Sequence, residues 1–242
     1  MKHTLTVILL FISYLVQAQV NHEVLYNAYL TQNFQVWKTT IDEAQKSKMT
    51  LKELAEIINY EYGYIGASLG ENKTEEAARV MRLMERQLAI LERHQYQPAV
   101  VHMYRSALYA FKISFNKWDI LSLGTQSVKY ADLAYSEAPK NPLIVSFKGN
   151  VDFFRPQLLG GSKKNALYNY EKAVELFEQQ NQTTHNWNYL ATLLSMAQAY
   201  EKTGNLKKAD FVCQKILHLA PNFKYVKEVY SPQLTKKLAD SF

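Results

Sequence analysis

Nowhere in this chain do apolar and polar side chains alternate with period two for long enough to make a half-buried strand. That absence confines the fold to helices. Only 8 glycines and 6 prolines punctuate 242 residues, too few for the turns of a β-sandwich or for a long flexible linker. Helix signals recur instead. In Thr50-Leu51-Lys52-Glu53 the hydroxyl and the carboxylate can each satisfy an orphan backbone N–H at a helix start. Asn141-Pro142 and Ser231-Pro232 each set an N-cap residue before a proline suited to the first helical position. Gly70, Gly161 and Gly204 fall where turns are needed. These signals and the apolar periodicity predict helices over 22–31, 33–47, 51–69, 74–94, 98–117, 119–137, 142–154, 162–180, 185–203 and 206–219. A broken terminal pair is expected at 222–230 and 232–239.

The first apolar run is set apart from the fold. Met1-Lys2-His3 is a basic start, Leu5 to Val16 is apolar-dominated and uncharged, and Val16-Gln17-Ala18 suits a signal peptidase. A signal peptide over residues 1–18 is expected. The mature chain would then be exported, whether periplasmic, outer-membrane-associated or extracellular, and without a transmembrane span, since twelve residues are too few to cross comfortably. One cysteine, Cys213, excludes an intramolecular disulfide framework. The formal net charge of +6 is spread through Lys163-Lys164, Lys207-Lys208 and Lys236-Lys237 among acids. That distribution reads as solvated helix faces and not as a nucleic-acid site; attraction to an anionic membrane surface or a glycan is the alternative.

Helices joined by short turns call for a search for an internal repeat. Tyr200, Gly204, Ala209 and Pro221 fall at positions 11, 15, 20 and 32 of a 34-residue unit that begins at Leu190. Upstream, Gly161, Ala166, Tyr170 and Ala173 match positions 15, 20, 24 and 27. Gly149 matches position 8 in a register five residues out of step, which implies an insertion within 155–160. Ala134 and Pro139 match a still earlier unit. This spacing resembles the tetratricopeptide repeat of exported bacterial proteins. The resemblance implies an all-α, right-handed superhelical solenoid of about five helical hairpins. Degenerate hairpins would occupy 19–97, clearer repeats 98–221 and capping helices 222–242. Tyr225, Val226, Val229 and Tyr230 form the apolar stripe expected of that cap, with Lys224, Lys227 and Glu228 facing away. Cys213, at position 24, is expected to be buried.

No metalloprotease, nucleophile-elbow, dinucleotide or P-loop pattern is present, and the histidines are scattered. Gly160-Gly161-Ser162-Lys163-Lys164 reads as an inter-helix turn. Trp37, Trp118 and Trp187 read as packing between helices. The resemblance therefore implies a non-enzymatic scaffold of the cell envelope, with no cofactor and no metal, holding a protein or peptide partner in a concave groove. A structural subunit that uses its convex face is the alternative, and a cryptic enzyme or carbohydrate-binding protein a third. Groove-facing positions of the repeat give Ser146 and Asn150 in one hairpin and Leu194, Gln198, Glu201 and Lys202 in the next. On helix 98–117, the face opposite Val100, Tyr104, Phe111 and Phe115 adds His102, Arg105, Tyr109 and Lys112.

Overall fold

A computed structural model describes residues 21–240; the expected signal peptide, 1–18, lies outside the described residues. Eleven α-helices follow one another: α1 (His22–Thr31), α2 (Phe34–Ala44), α3 (Leu51–Gly70), α4 (Thr74–Arg93), α5 (Pro98–Ile113), α6 (Ile120–Glu137), α7 (Pro142–Phe154), α8 (Lys163–Gln179), α9 (Trp187–Lys202), α10 (Leu206–Leu219) and α11 (Ser231–Ala239). Among the described residues there is no strand. The all-α expectation holds, and most helix ends fall within a residue or two of those expected.

The starts are set by short polar side chains. Those of Asn21, Asn33, Ser162 and Asn205 accept from backbone N–H groups of the first turn. At Thr50 the capping box is complete: the Thr50 N–H donates to Glu53 Oε2 at 2.8 Å and the Glu53 N–H to Thr50 Oγ1 at 3.3 Å. Asn141 accepts from the N–H groups of Leu143 and Ile144 ahead of the α7 proline.

Three local expectations are corrected. The helix expected over 98–117 stops at Ile113, because Asn116 starts a new 3-10 turn, Lys117–Asp119, by accepting from the Trp118 N–H. Ser231 is no N-cap: it has helical angles, φ −60° and ψ −46°, within a helix that runs on through Pro232. A π turn over Val226–Tyr230 ends two residues before Pro232, which has no N–H to give, and widens the ladder there. Glycine, finally, serves two purposes after α7. Gly160 takes the left-handed conformation at φ +90°, whereas at Gly161 a Cβ would lie 1.8 Å from the Arg155 carbonyl oxygen.

Neighbouring helices pair as α1 with α2, α3 with α4, α5 with α6, α7 with α8 and α9 with α10. The odd helices α3, α5, α7 and α9 also touch in succession, so they share one layer and the even helices flank it. Small residues permit the close pairings. Ala166, Ala173, Ala197 and Ala209 are fully buried, and a Cβ on Gly149 would stand 2.6 Å from the Tyr170 ring. Ile216, at the repeat position that Ala173 occupies in the preceding unit, is just as buried. Cys213 is fully buried, and desolvation raises its thiol pKa. Along the last helical stretch Val226, Tyr230 and Leu234 are buried while Lys224, Lys227 and Glu228 are exposed; Val229 is exposed too. No described helix is long and apolar enough to cross a membrane.

Candidate functional site

The inner layer encloses a cavity of about 1150 Å³. Its walls come from the facing sides of α3, α5, α7 and α9, with the first turns of α6 at one end. Helix α3 presents Gly63, Gly66, Ala67 and Gly70, spaced i, i+3, i+4 and i+7, so one small-residue stripe of that helix faces inward. Helix α5 adds Ala107, Ala110 and Phe111, helix α7 adds Phe147 and Asn150, and helix α9 adds Ala191 and Leu194. Small side chains on one wall and aromatic ones on another leave space between them.

One end of this cavity is packed shut. Trp187, the first residue of α9, lies 6.0 Å from Trp37 between ring centroids, and Tyr29 lies 5.5 Å from Trp187 and 5.0 Å from Phe223. Both tryptophans close on α3, where a Cβ on Gly63 would stand 2.8 Å from Trp187 and 2.9 Å from Trp37. The N-terminal hairpin thus reaches across to α9 and to the segment that leads into the last helix. Next along, Asn150 clasps two layers: its amide donates to Tyr62 Oη at 3.3 Å and its oxygen accepts from Tyr170 Oη at 2.9 Å. Burial raises the pKa of both phenols. The other end is open. Cβ atoms on Gly66, Gly70 or Gly124 would meet nothing within 4 Å, and Leu121 and Phe154 there are exposed.

The ten residues expected to face a groove divide into two sets. Ser146, Asn150 and Leu194 line the cavity, and Ser146 is further tied to Thr192 at 2.8 Å. The α5 strip does not line it. Arg105 forms a two-pronged pair with Glu92 of α4 at 2.7 Å, and Lys112 reaches Glu85 of α4 at 2.6 Å. His102 meets Glu137 of α6 at 3.0 Å, and Tyr109 stacks on Tyr130 of α6. Polar side chains on a helix sandwiched between two others turn toward those neighbours, while Ala107, Ala110 and Phe111 take the inner side. Gln198, Glu201 and Lys202 also stand outside the lining; Glu201 is bound by Lys237 of α11. The pairing holds the Arg105 partner, Glu92, below the usual carboxylate range.

Sequence reasoning missed the apolar wall. Its signal was the small-residue stripe of α3, legible at 63, 66, 67 and 70 once a helix is assumed. Trp118 is corrected as well. It is 96% exposed and packs between no helices, because it sits in the 3-10 turn and not in a helix interior.

Other candidate chemistry is taken up by structure. In the Gly160–Ser162 turn the N–H groups donate to the carbonyls of Gln157, Pro156 and Asp152, which fits the turn reading and leaves no N–H cradle for an anion. The buried Glu61 accepts from Gln45 and Gln87 on the outer side of α3, away from the cavity, and desolvation raises its pKa to about 8. Among the described residues no cluster of histidine, cysteine and carboxylate side chains could hold a metal ion. The fold and cavity define an all-α protein with helical-repeat-like architecture. Scans against protein-family models and curated proteins find no match to this chain.

Proposed function

We propose that the protein is a non-enzymatic scaffold of tetratricopeptide-like hairpins, exported to the cell envelope, which holds a segment of a protein partner between its inner helices. The observation that carries this reading is the convergence of α3, α5, α7 and α9, alternate helices of the chain, on one cavity open at one end. That arrangement is what a stack of hairpins produces when first helices line the inner surface. The repeat spacing from Gly149 to Pro221, with the Gly149–Tyr170 close approach and the full burial of Ala197, supports the family reading. Of the polar groups that reach the wall, Ser146 and Asn150 already bond to Thr192, Tyr62 and Tyr170. Such a wall suits holding a ligand by shape more than moving protons. The resemblance alone implied a polar groove; the wall observed is mostly apolar, so the partner segment is expected to present apolar side chains.

Photo-crosslinking residues placed at Ala110, which is exposed on the cavity wall, and at Arg105 separate the possibilities. Partner peptides should be captured from position 110 and not from 105. Gly66→Leu, which extends a side chain into open space, should lower capture at 110 by about tenfold or more, about 1.4 kcal/mol of binding. Capture from 105 alone would move the site to the outer surface.

A further inference from the structure

Large apolar side chains are unevenly exposed. Of the fourteen that stand in solvent among the described residues, six fall on or beside two short connections: Phe115 and Trp118 after α5 with Leu121 in the first turn of α6, and Phe154 at the end of α7 with Leu158 and Leu159 after it. Trp118 is 96% exposed and Leu158 99%, so these side chains touch almost nothing of their own chain. The two segments border the same cavity, since Leu121, Phe154 and Leu159 all line it. Exposed apolar side chains gathered at the rim of one cavity mark an interaction surface. Its charges have one dominant sign. Lys117 adjoins Trp118 and Lys164 follows the second connection; both are exposed, and among the described residues neither forms an ion pair. Positive side chains outnumber acids over these segments: Lys117, Arg155, Lys163 and Lys164 stand against Asp119, which accepts from Asn116, and the buried Asp152, which pairs with Arg155.

We infer that this rim docks on an anionic lipid bilayer, with Trp118, Phe154 and Leu158 entering the headgroup–acyl boundary and the lysines meeting lipid phosphates. Two features select a bilayer over a folded partner. Side chains that are free on nearly every side would each need a matching socket in a rigid protein, whereas a fluid interface closes around them. The rim also combines a tryptophan, the interfacial side chain, with flanking lysines, and each lysine near an anionic surface contributes about 1 kcal/mol. The inference does not depend on what fills the cavity.

The test is co-flotation of the full chain with vesicles of phosphatidylcholine alone or mixed with phosphatidylglycerol. Binding is expected to the mixed vesicles, to weaken with salt, and to drop about tenfold or more in the Trp118→Ser, Leu158→Ser double variant with its melting temperature unchanged. Trp118→Phe should still bind but lose the blue shift in tryptophan emission. Gly66→Leu, which blocks the cavity, should float like wild type. Failure to float with the mixed vesicles would overturn the inference, as would equal flotation of the double variant. Loss of flotation in Gly66→Leu would assign the lipid contact to the cavity instead. A concentration-dependent dimer abolished by the double variant, with no vesicle binding, would assign the rim to a second copy of this chain.

Discussion

Gly63 and Gly66 lie one turn apart on the same inward stripe of α3, and their surroundings are opposite. At Gly63 two indole rings occupy the place of a Cβ; at Gly66 a Cβ would enter open space. The first glycine exists so that Trp37 and Trp187 can close one end of the inner layer. The second belongs to a wall that leaves room for something else. A small residue facing inward is thus ambiguous by itself, and what stands opposite decides whether it serves packing or binding. The Gly149–Tyr170 contact repeats the first case, and Gly70 and Gly124 repeat the second.

The strongest challenge to the closed end is Trp187→Ala. Trp187 is 6% exposed and touches Tyr29, Trp37, Tyr60 and the α3 backbone at Gly63. Truncating an aromatic of this size costs about 3–5 kcal/mol. Denaturant unfolding should show that loss, and hydrogen exchange in α1 and α2 should quicken, because the N-terminal hairpin leans on this ring. A loss below about 1 kcal/mol would mean that the two ends of the cavity do not differ in packing.

On its outer side α3 carries a different constraint. Glu61 is fully buried; its Oε2 and the Oε1 of its partner Gln87 have no hydrogen-bond partner. A proton on Oε2 would supply the donor this pair lacks. With a folded-state pKa of about 8 against an ordinary value of 4.5, the folded chain keeps a proton that the unfolded chain has released between those values. The stability associated with this group is complete below pH 4.5 and declines as pH rises through about 8, by an amount on the order of a few kcal/mol. Glu61→Gln stays neutral, so unfolding free energy measured from pH 5 to 9 should fall less steeply for the variant than for wild type. Identical slopes would show that Glu61 is ionised in the folded state.

Much of the fold was legible in the sequence because its determinants are local. Asn and Ser caps, the Thr50–Glu53 box and apolar periodicity each act within a few residues. Where a local rule competed with the chain's continuation it failed: Ser231-Pro232 carries every mark of a helix start, yet the helix runs through it by way of a π turn. The cavity was less legible. Ser146, Asn150 and Leu194 were reached through the repeat register, which fixes a helix face. The α5 strip was chosen for polarity, and its polarity is spent on Glu85, Glu92 and Glu137 of flanking helices, contacts that join residues 13 to 35 positions apart. Trp118 was assigned to packing because tryptophan usually packs; no local signal marks the connection that holds it out in solvent.

The contrast between the two ends of α3 is tested most directly by the melting temperatures of Gly63→Ala and Gly66→Ala, measured side by side. At Gly63 the added methyl overpacks against two buried rings and should cost about 1–3 kcal/mol. At Gly66 it has open space and replaces glycine in a helix interior, which should add up to about 1 kcal/mol. For a chain of this size each kcal/mol moves the midpoint by roughly 2–4 °C. The account predicts shifts of opposite sign, with Gly63→Ala melting lower than wild type and Gly66→Ala higher. A lowered midpoint for both would contradict it, since Gly66 would then be packed as tightly as Gly63 and the wall would hold no room for a partner.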